Sequence, residues 1–341
     1  MVDFTIPKLE TRSALKFSSE LSACKIYEPV HFDASMNWVR PFGMLFTACV
    51  LRQFRNKYPN LQFTMTSHEE CDGVSYAAQM GFFKEVSKNI TIGKAPGEAK
   101  GNANYIPITT IDFKKILDDE VKKGNCSELE NSIEEFSKKL ARILGRDNTE
   151  ANALFTYLFR EMLRNIPEHA NCSKALICGQ YYSNNSAEIA IIDEGIGILK
   201  SLQSNTIHRM YINTDKDALE CAIRPGISST FNPRRGQRSN EIWGNSGFGL
   251  YMANKICQLL GGSFCIASGN HFIEYKKNGE LIEGDTCFGG TAIKLEVSTT
   301  NLKNCGKLIN EISAQGEKQA QKIKHAFKVA SKPSKGLITN F

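Results

Sequence analysis

The sequence predicts a mixed α/β chain in two units, on three observations. Short apolar runs alternate with helical ones before residue 93, a polar stretch with Gly93, Pro96, Gly97, Gly101 and Pro107 follows, and a second alternation of helices and strands fills most of what remains. A chain of 341 residues exceeds what one ordinary core organises, so two units of roughly 100 to 200 residues each are expected. The boundaries follow: a first unit over 1–95, a linker over 96–110, a second unit over 111–300, and a basic, helical terminal segment over 301–341.

Taken in order, residues 26–34 read as a short strand, and the apolar run from Phe42 to Leu51, closed by Arg52 and Arg55, reads as a helix. Residues 61–66 repeat the strand signal, and a helix ending at Met80-Gly81 follows, so the βαβα order predicts a small mixed sheet with helices on one side. In the second unit Ser127-x-x-Glu130 is a capping box, and Leu129, Ile133, Phe136, Leu140 and Ile143 recur at helical spacing. Packing on the neighbouring core and a two-chain seam both satisfy that stripe; two heptads do not demand the seam, which leaves a homodimer open. A helix from Asp147-Asn148-Thr149 runs through Glu161, and strands follow at 174–181 and 187–192. After Gly197 a long polar stretch leads to a helix over 250–260 and strands near 263–268 and 291–297. A connection of that length is usually functional.

Composition bounds the function class. The longest apolar stretch, from Phe42 to Leu51, is far short of the about 20 residues a membrane span needs, and the amino terminus lacks the basic and apolar parts of an export signal, so a cytoplasmic chain without membrane segments is expected. Eleven cysteines are scattered with no Cys-x-x-Cys pair, which points to free thiols rather than a zinc cluster or a disulfide framework. The net charge of +6 is carried by residues 301–341, where eight lysines face only Glu311 and Glu317. Lysines spread along a terminal helix read as a solvated face, with nucleic acid or an acidic partner as the alternative.

Three pieces carry chemistry. On a helix Glu161, Asn165 and His169 project from one face; an uncharged Asn165 oxygen suits Mg²⁺, and Glu161, one turn earlier, is placed to polarise a water as a general base. A solvated helix face explains the same row if it stands alone. Next, a buried strand ends on Asp193-Glu194-Gly195-Ile196-Gly197, where the Asp193 carboxylate can accept from the exocyclic amine of adenine while Gly195 and Gly197 admit the backbone to the base. Finally the run Gly244-Asn245-Ser246-Gly247-Phe248-Gly249-Leu250 opens into an apolar helix, so that backbone N–H groups at a helix start face phosphates. No Gly-Lys-Ser/Thr follows, which excludes a Walker A loop. Gly289-Gly290-Thr291 enters the last strand, with the Thr291 hydroxyl within reach of Asp193 or of a water near the base. The order and separation of these pieces make ATP with Mg²⁺ the expected ligand.

That ordered set resembles the N, G1 and G2 boxes of the histidine-kinase-like (GHKL) ATPases over roughly residues 110–300. The resemblance implies a two-layer, Bergerat-type α/β sandwich, Mg-ATP held through Asn165, Asp193 at adenine, Glu161 as general base, and a mobile lid from about Leu199 to Ser246. Pro167 departs from it by removing a backbone hydrogen bond just after the metal position, and predicts a kink there. In the first unit Val30-His31-Phe32-Asp33, Pro41-Phe42-Gly43 and residues 76–83 resemble a STAS domain, as in anti-sigma-factor antagonists. In signalling members a phosphorylatable serine precedes that glycine. Pro41 and Phe42 stand there in this chain, so the resemblance implies docking or packing, with Ser35 a remote substitute acceptor.

Three functions are compatible with these readings: an ATP-hydrolysing switch that relays its state to a signalling partner through the STAS-like unit, with Arg234, Arg235 and Arg238 near the phosphates; a protein kinase of the anti-sigma-factor kind acting on a STAS-like protein; and a non-hydrolysing, ATP-gated binding module. No helix ahead of the pocket carries a histidine in a phosphoacceptor setting, which argues against histidine autophosphorylation.

Overall fold

The computed structural model describes residues 1–68, 71–121, 128–232, 246–300 and 302–331. The amino-terminal part runs β1 (Val2–Thr5), α1 (Thr11–Ala23), β2 (Val30–Asp33), α2 (Pro41–Lys57), β3 (Phe63–Thr66), α3 (Asp72–Met80) and α4 (Phe82–Val86). Its three strands form one sheet in the order β1-β2-β3, parallel throughout rather than mixed. β1 and α1 were not apparent from sequence: β1 is four residues with alternating exposure, and α1 starts without a side-chain cap.

The second sheet is antiparallel, in the order β4-β5-β6-β8-β7. Its members are β4 (Tyr105–Asp112), β5 (Lys174–Tyr181), β6 (Ser186–Asp193), β7 (Ser263–Tyr275) and β8 (Leu281–Ser298). β4 begins inside the stretch expected as a linker and pairs along β5, with a register shift between Ile106 and Thr109 where Pro107 cannot donate. The helices that belong with this sheet are α5 (Phe113–Val121), α6 (Glu128–Gly145), α7 (Thr149–Asn165), α8 (Gly197–Gln203), α9 (Asp215–Ala222), α10 (Gly249–Leu259) and α11 (Cys305–Gln321).

Both faces of the five-stranded sheet are covered, which explains why its strands read as nearly continuous apolar runs. Side chains alternate along a strand: Ala187, Ile189 and Ile191 of β6 and Ile293, Leu295 and Val297 of β8 join a core with α6, α7 and α10. Ala190, Ile192 and Ala292 face the other way, into a core that passes through Phe42 and Phe46 of α2 to Phe32 of β2. Phe46 lies 5.1 Å, centroid to centroid, from Phe288 of β8. The two sheets thus share one apolar core through α2. Polar contacts fix that junction: buried Glu188 accepts from the Phe42 N–H at 3.0 Å at the start of α2 and pairs with Arg40 Nε at 2.8 Å, while Ser18 and Thr286 hydroxyls meet at 2.6 Å.

The stripe on α6 packs inward, with Ile133 and Leu140 buried in the core of α7 and the sheet and Leu129, Phe136 and Ile143 half-buried against it. Along α11 Lys307 and Lys318 are exposed, as expected, but Cys305, Ile309, Ile312 and Ala320 are buried, so the helix is docked onto the body rather than trailing from it. No helix among the described residues is long and apolar enough to cross a membrane.

Candidate functional site

α7 brings the first site residue. Its amino end is capped by the Asn148 side chain, which accepts from the Ala151 N–H, and residues 154–164 are buried. The α-helix ends at Asn165, and Ile166–Ala170 continue as a π-helical turn, the response of the backbone to Pro167. The kink expected there is a widened turn. It ends at Asn171 with a positive φ, and it brings His169 onto the same cavity wall as Asn165.

β6 and β8 bring the second pair. Asp193 lies opposite Thr291 in the ladder, on the same side of the sheet as Ile191 and Ile293, and therefore faces α7 and α10. The Asp193 carboxylate accepts from the Gly195 N–H at 2.9 Å and from Thr291. Burial pushes its pKa up to about 6, against the lowering effect of those hydrogen bonds, with neighbouring Glu194 adding a little to the rise. Gly195 is required by a protein contact: a Cβ there would sit 2.1 Å from the Ala170 carbonyl, so this glycine lets the strand end abut the π turn. It does not line the cavity, whereas Gly197, at the start of α8, does.

α10 closes the third side. Gly247, Gly249 and Leu250 line the cavity; Phe248 turns into the core against Tyr251, and the Ser246 hydroxyl accepts from the Ser331 N–H at 2.9 Å. Gly247 has φ +69, and a Cβ there would fall 2.2 Å from the Ile227 carbonyl, so only glycine fits this turn. Gly244 and Asn245, with Arg234, Arg235 and Arg238, lie outside the described residues.

The described part of the segment expected as a mobile lid is folded. α8, α9 and the turns between them build a small core from Leu202, Ile212, Ala218, Ala222 and Ile227, completed by Ala326 from beyond α11. The chain after α11 straps this region: the Phe327 N–H donates to Gly226 O at 2.8 Å, Phe231 and Phe327 rings stack edge to face at 5.3 Å, and the Lys328 ammonium donates to Ala320 O at 2.7 Å and to Ile323 O at 2.5 Å at the end of α11.

Together these elements line one open-mouthed cavity. Asn165, Asp193, Gly197, Gly247, Gly249, Leu250 and Thr291 line it. Its remaining wall is largely apolar, with Met162, Ile191, Ile198 and Ile293 among the lining residues near Asp193. His169 bonds Ser229 through Nδ1 at 3.0 Å, and burial, with Arg164 nearby, lowers its pKa to about 4, so it is neutral near pH 7. Glu161 is not on the cavity wall. It is buried behind Gly249, with Arg160 Nε at 3.5 Å and Arg164 Nη1 at 4.0 Å from its Oε1.

For a metal, Asn165 contributes an amide to the cavity, and no three His, Cys, Asp or Glu side chains gather as a metal site among the described residues. One neutral amide fits a Mg²⁺ that brings its own waters and phosphate oxygens. Sequence reasoning missed Ser201, Ile227, Ser228 and Ser229, which line the cavity from the segment expected to be mobile; the polar Ser-Ser pair carries no periodic signal. A scan against protein-family models and a search of curated proteins return no match to this chain.

Proposed function

We propose that this protein binds Mg-ATP in the cavity between α7, β6, β8 and α10 and acts as a nucleotide-dependent switch of the GHKL kind. The observation that carries this is the meeting of Asp193, Thr291, Asn165 and the start of α10 in one cavity with a largely apolar wall. In this reading Asp193 and Thr291 receive the adenine edge, Asn165 holds Mg²⁺ against the phosphates, and the N–H groups of Gly249 and Leu250 face the phosphate chain. The magnesium ion supplies charge neutralisation on the phosphates when bound. The amino-terminal layer, STAS-like in this reading, carries the state to a protein partner. Equilibrium dialysis tests the assignment: wild-type protein is expected to retain ATP in preference to GTP, and Asn165→Ala to lose the Mg²⁺ dependence of retention. Equal retention of both nucleotides, or unchanged Mg²⁺ dependence, contradicts it.

A second reading follows from Glu161. A general base must reach the attacking water, and this carboxylate is engaged by two guanidinium groups behind the cavity wall. The same site then works as an ATP-gated binding module whose output is occupancy rather than turnover. Phosphate release separates the two: turnover abolished by Glu161→Ala supports hydrolysis, and equal background in both proteins supports the gated module.

A further inference from the structure

Beyond the cavity itself, the carboxy-terminal half of α2 reaches across to the turn after Asp193 and to the bulge of β8 just before Thr291. Gln53 pairs with the backbone of Gly289 on both sides, Nε2 donating to Gly289 O at 2.8 Å and Oε1 accepting from Gly289 N–H at 3.0 Å. This is the exchange of N–H and C=O that a neighbouring strand would make. The same Nε2 donates to Glu194 Oε1 at 2.8 Å, and Arg52 Nη2 reaches Glu194 Oε2 at 2.5 Å. Arg52 also pairs with Glu85 of α4, so the guanidinium is anchored within the amino-terminal layer. Glu194 is bonded in sequence to Asp193, and Gly289 stands two residues before Thr291. These two stretches touch each other as well: a Cβ at Gly290, where φ is +128, would lie 2.1 Å from the Asp193 carbonyl. From the opposite side Ser268 of β7 makes a second tie, its hydroxyl donating to Gly290 O at 2.7 Å and accepting from the Ile198 N–H at 3.0 Å.

We propose that Gln53 and Arg52 are positioning residues for the base-binding end of the cavity, so that its occupancy and the seating of α2 in the amino-terminal layer form one coupled equilibrium. The proposal rests on the nucleotide reading above. Its physical content is that the turn after Asp193 and the bulge of β8 before Thr291 are held from outside their ladder by Gln53 and Arg52 of α2, together with Ser268 of β7. Coupling of this kind is reciprocal: a ligand that tightens the Asp193 turn and the β8 bulge tightens α2, and whatever binds the amino-terminal layer and shifts α2 alters nucleotide affinity by the same factor. The clamp is partly exposed, so its contribution is modest, about three- to tenfold in affinity.

The test uses calorimetric titration of the full chain with Mg-ATP and, separately, with magnesium tripolyphosphate, which lacks the base. Gln53→Ala and Arg52→Ala are expected to weaken ATP about three- to tenfold and leave tripolyphosphate unchanged. Arg52→Lys, which keeps the charge, is expected to recover part of the loss. Arg55→Ala serves as the control: it removes a contact from the same helix to Val86 O, at 2.8 Å, and is expected to bind both ligands as wild type does. If wild type binds ATP and both variants bind it equally well, the clamp is overturned while the nucleotide reading stands. A wild-type chain that binds no adenine nucleotide overturns both. Hydrogen exchange on the unmutated protein gives a readout free of folding effects: added Mg-ATP is expected to slow exchange over residues 50–57, and no change there contradicts the coupling.

Discussion

Asp193 combines burial with an acceptor role, and the two pull its titration in opposite directions. A buried carboxyl resists ionisation, and burial raises the pKa of this one to about 6, while on the proposed function the amine of adenine is accepted best by the ionised form. Affinity for ATP is therefore expected to fall as pH drops below about 6, approaching tenfold per pH unit, and to be flat from pH 7 to 8. Asp193→Asn removes both the acceptor and the titration; binding is expected to weaken about 10- to 100-fold at pH 7.5 and to lose the acid limb of the profile. Titrations at several pH values check both. Gly247 gives a stability prediction at the same scale. Gly247→Ala forces a Cβ against the Ile227 carbonyl at a left-handed φ, and is expected to cost about 1–3 kcal/mol in denaturant unfolding. Asn165, Asp193 and Thr291 were readable because each ends or flanks a strong periodic run. The role of Gly195 was not, since the Ala170 carbonyl it accommodates belongs to a turn whose shape depends on Pro167 and tertiary packing.

At the scale of elements, the strap after α11 explains how the segment from α8 to α9 stays ordered beside the cavity. It adds Ala326 to the local core, ties Phe327 to Gly226 and bonds Ser331 to Ser246, the residue before the Gly247 turn. Phe327 is half-buried, so Phe327→Ala is expected to destabilise by about 2 kcal/mol, half the cost of truncating a fully buried phenylalanine. Limited proteolysis is expected to cut first within residues 197–232 in that variant; unchanged resistance there contradicts the strapping role. Sequence reasoning read α6, α7, β5 and β6 well, because their periodicities are long and their caps are local. The mobile lid from about Leu199 to Ser246 was what the resemblance implied, and the order of its described part comes from a distant segment; the lysine-bearing segment read as a solvated face because only one side of α11 is solvated.

For the whole molecule, the consequence of a core shared between two sheets is cooperative unfolding. Phe46 of α2 is fully buried against Phe288 of β8, so Phe46→Ala is expected to cost about 3–5 kcal/mol and to lower a single calorimetric transition rather than split it. Two separated transitions would show that the layers are energetically independent. This sharing was hidden in the sequence: the strands display continuous apolar runs, which announce burial on both faces but not which helices provide the second cover. On the proposed function the same junction is the route of the switch, since α2 packs under the sheet with Phe46 and bonds Gly289 and Glu194 through Gln53.

The most direct measurement of the central claim is a calorimetric titration of Mg-ATP into the intact chain beside Asp193→Asn at pH 7.5. One saturable site of micromolar affinity in the wild type, strongly weakened in the variant, is the predicted result; no heat from the wild type, or equal binding by both proteins, contradicts it.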